Sequence, residues 1–207
     1  MMKNDDNILN NVSRETIENL KKYNDILVEW QKKFNLVSNN SLPDAWNRHF
    51  LDSAQLIEYI PQNANKIYDL GSGAGFPALV LATIFKELNQ NTHFVLIESI
   101  RKKTLFLNEI ISELKLNAEV INDRIENIKL PKADFITARA LTNLNDLLGY
   151  AEFFCDNNTI CLFPKGKTYS EELDQALKNR IFSYNIHKNK ISDDGVILEI
   201  KNLRRKR

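Results

Sequence analysis

The first third of the chain carries apolar side chains at helical spacing. One apolar stripe begins after Ser13, which is a suitable N-cap, and charged residues separate its members. The members of the stripe are Ile17, Leu20, Leu27, Trp30 and Phe34. A second helical run begins near Pro43 and ends at Pro61, and its apolar positions are Trp46, Phe50, Leu51, Ala54 and Ile57. The pattern predicts helices over residues 13–60, within an N-terminal helical extension that covers residues 1–65.

From Lys66 onward, short apolar runs of strand length alternate with amphipathic helical stretches. The runs cover residues 67–70, 93–98, 118–121, 134–139, 159–163, 184–191 and 196–200. Helical stretches near residues 77–88, 101–115 and 142–154 separate the first five, and Ser192-Asp193-Asp194-Gly195 joins the last two as a hairpin turn. The alternation predicts an α/β domain over residues 66–207, with a mostly parallel seven-stranded sheet and a terminal antiparallel hairpin.

The composition of the 207 residues is ordinary, with 43% apolar and 27% charged side chains, and it is typical of a soluble globular protein. No apolar stretch approaches the ~20 residues of a membrane helix, and residues 1–11 are too polar and acidic for a signal peptide. Cys155 and Cys161 are too few for a disulfide framework, and together with three scattered histidines they do not have metal-site spacing. We therefore expect a cytoplasmic protein without a structural metal or a membrane partner.

Charge is distributed unevenly along the chain, although the formal net charge is only +1. The last part, residues 163–207, has an excess of basic side chains and ends in Arg204-Arg205-Lys206-Arg207. A mobile, solvated tail is one interpretation of this run. Contact with nucleic-acid phosphates is the other, and charge alone leaves both open.

A glycine-rich sequence, Asp69-Leu70-Gly71-Ser72-Gly73-Ala74-Gly75, stands where the first strand turns into the next helix. In a parallel sheet this turn lies at the carboxyl end of the strand, where such sheets bind ligands. A dinucleotide fingerprint would have its third glycine at position 76, which is Phe76, so a nicotinamide cofactor is disfavoured. The spacing instead resembles the first motif of class I methyltransferases, whose cofactor is S-adenosylmethionine.

The strands that follow the glycine loop add two further signals. The second strand ends in Glu98, whose carboxylate can accept hydrogen bonds from both ribose hydroxyls of a nucleoside, or can simply be solvated. For Arg101-Lys102-Lys103, which opens the next helix, a solvated first turn is favoured over cofactor contact. Residues 122–126 end a third strand, near the place where adenine binds in such folds.

Four segments together resemble one family, the RsmG (GidB) methyltransferases, over about residues 15–200. They are Asn47-Arg48-His49-Phe50-Leu51-Asp52-Ser53, the glycine loop with Phe76-Pro77, Thr137-Ala138-Arg139-Ala140, and Phe163-Pro164-Lys165-Gly166-Lys167. Members of this family methylate N7 of one guanosine in bacterial 16S ribosomal RNA. The resemblance implies a class I (Rossmann-like) methyltransferase fold, S-adenosylmethionine as cofactor, and 16S rRNA or the small ribosomal subunit as partner. We expect a monomer.

The resemblance also implies roles for individual residues. Those expected at the cofactor are Gly71, Gly73, Phe76, Glu98, Ile125, Glu126 and Arg139. Those expected at the RNA substrate are Arg48, His49 and Lys165. Two structural alternatives stay open: His49 and Asp52 are one helical turn apart and could bond each other, and Lys165 could be an ordinary surface lysine. The chain departs from the family at Glu98, where many members have Asp, and at Pro164, where Leu is usual.

The implied reaction requires alignment rather than proton transfer. Guanine N7 carries a free lone pair and no proton at neutral pH, so we expect no catalytic acid or base, with Arg139 positioning the reactants. Two alternatives are an S-adenosylmethionine-binding regulator without catalytic activity and a methyltransferase of the same fold for another substrate.

Overall fold

A computed structural model describes residues 8–206 of the chain. Most of the polar start used to exclude a signal peptide, and Arg207 of the basic tail, lie outside the described residues. The strands are β1 (Lys66–Leu70), β2 (His93–Ile97), β3 (Ala118–Ile121), β4 (Phe135–Thr137), β5 (Ile160–Lys165), β6 (Arg180–Lys188) and β7 (Val196–Arg205). The helices are α1 (Arg14–Gln31), α2 (Asp52–Ala54), α3 (Ala78–Leu88), α4 (Arg101–Leu114), α5 (Leu144–Ala151) and α6 (Tyr169–Asn179).

The strands form one sheet, which has seven members within residues 8–206, in the order β3-β2-β1-β4-β5-β7-β6. The first five pair in parallel, and β7 runs antiparallel between β5 and β6. The predicted α/β fold with a mostly parallel sheet and a terminal hairpin is therefore confirmed. Because the first five strands are parallel, their carboxyl ends lie at one edge of the sheet, where ligands bind in such folds.

Alternate residues of each strand enter two cores, one on each face of the sheet. On β1, for example, Ile67 packs with α1, α3 and α4, whereas Tyr68 packs with α5 and α6. The helical extension contributes Leu20, Leu27 and Phe50 to the first core. The extension and the sheet therefore share a core, which fixes the position of the extension against the glycine loop.

The extension begins as predicted and then becomes irregular. Ser13 is the N-cap of α1, and its hydroxyl accepts a hydrogen bond from the Thr16 amide at 3.2 Å. The second predicted helix is a succession of a 3-10 turn (Leu42–Asp44), a π-helical turn (Trp46–Leu51), α2 and another 3-10 turn (Gln55–Tyr59). Apolar spacing indicates a helix but does not distinguish these hydrogen-bond patterns, and π-helical turns are frequent at functional sites.

The end of the chain differs from the prediction of a mobile tail. Arg204 and Arg205 are the last residues of β7 and pair with Ile181 and Arg180, and the Lys206 amide donates to the Asn179 carbonyl at 3.1 Å. The helix α6, which was not predicted, supplies this last contact. Tail residues 204–206 are thus held at the end of the sheet remote from the carboxyl ends of the parallel strands. Val196 lies beside Lys165 at that edge, and ten strand residues span roughly 30 Å.

None of the helices between residues 8 and 206 has the length and apolar character needed to cross a membrane. In the same part of the chain, no group of three or more His, Cys, Asp or Glu side chains is placed to hold a metal ion.

Candidate functional site

Three adjoining cavities lie along the carboxyl ends of the parallel strands. The inner pocket, of about 370 Å³, is lined by residues that include Gly71, Glu98, Ile125 and Glu126. The loop pocket, of about 450 Å³, includes Gly71, Gly73, Phe76, Arg48, His49 and Arg139. The outer cavity, of about 1130 Å³, includes Arg48, Arg139 and Lys165. Ala140 lines all three, so the structure brings every predicted site residue to one continuous hollow.

The glycine loop joins β1 to α3 with three residues at positive φ, which side chains rarely adopt. The amides of Gly71 and Ser72 both donate to the Ile97 carbonyl at the end of β2, at 2.9 and 3.1 Å. These bonds hold the loop against the neighbouring strand. The loop thus presents bare backbone to the inner and loop pockets.

The third glycine of the loop serves packing against the N-terminal extension. A Cβ on Gly75, whose φ is +86°, would lie 2.6 Å from both Leu79 Cδ1 and the Tyr23 hydroxyl. That hydroxyl, on α1, donates to the Ala74 carbonyl, and the Tyr23 ring stacks on Phe76 with centroids 5.4 Å apart. Tyr23 therefore supports the loop from beneath, a role that the sequence pattern did not indicate.

Replacing Gly75 by Ala is expected to lower the free energy of unfolding by about 3 kcal/mol, because it combines a left-handed backbone with overpacking. Gly166→Ala is the matched control, since a Cβ there would have nothing within 4 Å. Urea denaturation of both variants measures the difference. A Gly75→Ala variant as stable as Gly166→Ala would contradict the packing role assigned to Tyr23.

Glu98 ties the glycine loop to the start of α4. The residue is 5% exposed, and its two carboxylate oxygens accept from the Gly73 and Ile100 amides, each at 2.8 Å. Each oxygen of a carboxylate can accept two hydrogen bonds, so acceptor capacity remains on the side of the inner pocket. The alternative of a solvated carboxylate is therefore wrong, and the predicted contact with ribose stays a prediction.

Asp69, at the end of β1, is buried with one carboxylate oxygen unsatisfied. Its Oδ1 accepts from the Thr137 hydroxyl at 2.6 Å, whereas Oδ2 has no hydrogen-bond partner among residues 8–206. Burial raises the pKa of this carboxyl from its ordinary value of 3.8 to about 7, against the opposing effect of the Thr137 hydrogen bond. A buried acceptor without a hydrogen-bond partner is rare in folded proteins.

Arg139 joins the sheet to the helical extension. Its guanidinium donates to the Arg48 carbonyl at 2.9 Å, to Asp52 Oδ2 at 3.3 Å and to His49 Nδ1 at 2.9 Å. It also lies over the Phe76 ring, 5.0 Å from the centroid. The guanidinium is mostly buried at the border between the loop pocket and the outer cavity.

His49 is neutral in this arrangement. Its Nδ1 accepts from Arg139, so its Nε2 carries the proton and donates to the Ser41 hydroxyl at 2.9 Å. Burial, and to a smaller extent the charges of Arg139 and Arg48, lower the pKa of His49 from its ordinary value of 6.5 to about 4. A histidine held in this state orients Arg139 and does not serve as a base near neutral pH.

The extension also reaches the hairpin loop through Asp52. Asp52 Oδ1 accepts from Asn189 Nδ2 at 2.7 Å and from Gln55 Nε2 at 3.0 Å, while Oδ2 faces Arg139. The interpretation in which His49 and Asp52 bond each other is therefore wrong. Both bond Arg139, which lies about ninety positions further along the chain.

Lys165 is engaged within the protein. Its ammonium lies 2.6 Å from Glu172 Oε2 and donates to the Thr142 carbonyl at 3.2 Å, and its side chain is only 10% exposed. The interpretation as an ordinary surface lysine is therefore wrong. Lys165 fixes the loop that separates the cavities, and its contact with RNA stays a prediction.

The first turn of α4 contains a site residue that the sequence analysis set aside. Arg101 and Lys102 are exposed, as predicted for a solvated turn. Lys103 is only partly exposed and lines both the inner and the loop pocket. Its position in the first helical turn after Glu98, five residues along the chain, was the available signal.

Comparison with known proteins gives a consistent result. A family model described as rRNA small subunit methyltransferase G matches residues 16–197. A Bartonella tribocorum protein named ribosomal RNA small subunit methyltransferase G is 42% identical over 199 residues, covering 95% of this chain and 92% of that one. A Ruegeria pomeroyi protein of the same name is 40% identical over 205 residues, covering 99% and 100%. A solved SAM-dependent methyltransferase from Aquifex aeolicus matches with a TM-score of 0.59 at 15% identity, covering 76% and 92%, which supports the fold.

Proposed function

The chain belongs to the rRNA small subunit methyltransferase G family, and from that premise we propose that it transfers a methyl group from S-adenosylmethionine to N7 of a guanosine in bacterial 16S rRNA. The observation that carries the proposal is the meeting of two small pockets at the glycine loop with one large open cavity. Arg139 stands at their border. The small pockets suit a cofactor, and the outer cavity suits a base extruded from an RNA loop.

The residues of the two small pockets fit S-adenosylmethionine. Glu98 has acceptor capacity for the ribose hydroxyls, and Ile125 with Glu126 would border the adenine. The unpaired Oδ2 of Asp69, which is buried at the end of β1 and is not in the lining of either pocket, would accept from the cofactor's ammonium group. The bound cofactor supplies an electrophilic methyl group on a sulfonium. Phe76 and Arg139 then border the place where the two reactants meet.

The protein's part in the reaction is positioning. Because guanine N7 has no proton, no side chain must remove one, and the neutral His49 with its occupied Nδ1 agrees with that. Alignment of bound reactants can supply roughly 7–11 kcal/mol of the barrier. Arg139, held by His49 and Asp52, is the side chain best placed to orient the target nucleotide. One chain forms all three cavities, so we also propose a monomer that acts in the cytoplasm, where the ribosomal RNA is.

The raised pKa of Asp69 predicts that protons are released when the cofactor product binds. Below pH 7 this carboxyl is largely protonated in the free protein, and a bound ammonium group favours its ionised form. Binding of S-adenosylhomocysteine at pH 6 is therefore expected to release a proton, as measured by calorimetry in buffers of different ionisation enthalpy. Asp69→Asn should abolish the release and weaken binding about 10- to 100-fold, the effect of a lost charged hydrogen bond.

The same carboxyl should affect stability in the opposite direction to most aspartates. An acid whose pKa is raised on folding favours the folded state below its ordinary pKa, and this contribution is lost as pH rises through about 7. The cofactor-free wild type should therefore lose stability between pH 5 and pH 8, and Asp69→Asn should lose less.

The proton release on binding also depends on pH. At pH 8.5, where Asp69 is already ionised, binding of S-adenosylhomocysteine should release few protons. Equal proton release at pH 6 and pH 8.5 would contradict the proposal that Asp69 binds the ammonium group of the cofactor.

Transfer of labelled methyl groups tests the function itself. Unmodified small-subunit rRNA and whole small subunits serve as substrates, with large-subunit rRNA as the control. Label should enter 16S rRNA in one or both forms and not the control RNA. Binding of S-adenosylhomocysteine without any labelled RNA would instead favour a cofactor-binding regulator or another substrate.

A further inference from the structure

The loop pocket is strongly cationic. Arg48, Lys103 and Arg139 line it, and no carboxylate is among its lining residues in the described part of the chain. His49, the remaining titratable group of its lining, is neutral. Positive charges that are partly removed from water favour an anionic partner. The pocket therefore suits a ligand with a negatively charged group.

The three cations occupy different positions in the hollow. Arg139 already has Asp52 as its partner, and Arg48 faces both the loop pocket and the outer cavity. Lys103 instead lines the loop pocket and the inner pocket, which meet at Gly71. Within residues 8–206, no carboxylate lies within 4.0 Å of its ammonium. Of the three cations that line the loop pocket, Lys103 is the one that also lines the inner pocket, together with Arg124.

The backbone around Lys103 is held by the same acid that faces the inner pocket. Glu98 accepts from the Ile100 amide at 2.8 Å, and the Lys103 amide donates to the Ile100 carbonyl at 2.9 Å. The first turn of α4 is thereby fixed relative to the glycine loop. A fixed stem limits the conformations of the ammonium and favours a defined contact.

We propose that Lys103 binds the carboxylate of the methionine moiety of S-adenosylmethionine. The inference rests on the proposed function, since it assigns the anion of that cofactor to a cation of the pocket. An RNA phosphate is the other anion at this site, but Lys103 does not line the outer cavity.

Two ligands that differ only in the amino-acid end test the proposal. S-adenosylhomocysteine carries the carboxylate, whereas 5′-methylthioadenosine lacks the amino-acid group. Lys103→Ala should weaken binding of S-adenosylhomocysteine about 10- to 100-fold and leave binding of 5′-methylthioadenosine unchanged, as measured by calorimetry. Lys103→Arg should retain most of the affinity. Lys102→Ala, at the exposed neighbouring position, is the matched control and should behave as wild type.

Each other outcome has a distinct meaning. Equal losses for both ligands would overturn the proposal in favour of a structural role for Lys103. Unchanged affinity for S-adenosylhomocysteine together with weaker rRNA binding would overturn it in favour of a phosphate contact. A wild-type chain that binds neither ligand would overturn the proposed function itself. The titration of the wild type therefore distinguishes failure of the Lys103 proposal from failure of the proposed function.

Discussion

Arg139→Ala is expected to reduce methyl transfer to 16S rRNA by at least about 100-fold, measured in single turnovers at saturating cofactor. The guanidinium joins the extension to the sheet through His49 and Asp52 and borders both the loop pocket and the outer cavity. Its loss removes the orienting group and leaves the Asp52 carboxylate without a cation. Arg139→Lys should recover little activity, because an ammonium cannot reproduce the forked contacts of a guanidinium.

The basic tail provides the control for Arg139. Arg204 and Arg205 lie at the far end of β7, roughly 30 Å from the edge that carries the cavities. Arg204→Ala/Arg205→Ala, and truncation after Leu203, should therefore reduce methyl transfer less than Arg139→Ala does. A larger loss on removing the tail, with a weaker salt dependence of RNA binding, would make the tail the principal RNA anchor.

Glu98→Ala is expected to weaken binding of S-adenosylhomocysteine at least about 100-fold. The substitution removes the proposed acceptor for the ribose and leaves the amides of Gly73 and Ile100 without their carboxylate partner, at about 1–3 kcal/mol for each buried donor. Both the loop and the first turn of α4 lose their anchor. Glu98→Gln should lose less, since one carbonyl oxygen remains to accept a hydrogen bond. Calorimetry measures the affinity, and urea denaturation measures the accompanying loss of stability.

The control for Glu98 is another acid on a neighbouring strand. Glu119 is exposed on β3 and lines none of the three cavities, so Glu119→Ala should bind S-adenosylhomocysteine as wild type does. If Glu98→Ala bound within threefold of Glu119→Ala, the carboxylate would have no part in the cofactor site.

The fold could be predicted because its signals are local. Apolar runs and glycine spacing depend on neighbouring residues, so all seven strands and the turn at the glycine loop were predicted. The end of β7 was missed because Arg204 and Arg205 have no alternating apolar pattern, and their strand character comes from pairing with β6. The π-helical turn was missed because apolar spacing does not specify a hydrogen-bond pattern.

The sequence motifs predicted residues that line the same cavities, but not the contacts between them. Arg48, His49 and Arg139 all line the loop pocket, yet the bond between Arg139 and His49 joins positions ninety apart in the sequence. The unpaired oxygen of Asp69 and the hydrogen bond from Tyr23 to the loop likewise depend on tertiary packing. Such contacts join residues that are far apart in the sequence, so they have no local sequence signal.

The most direct test of the central claim is the position of the methyl group in the RNA. 7-Methylguanosine makes an RNA chain sensitive to scission by aniline after borohydride reduction, so the product can be mapped to one nucleotide. Small-subunit rRNA incubated with the protein and S-adenosylmethionine should gain one new scission site, absent without cofactor and with Arg139→Ala. Methyl transfer to a different atom of the RNA, or no transfer to RNA or subunits by a protein that binds S-adenosylhomocysteine, would contradict the account.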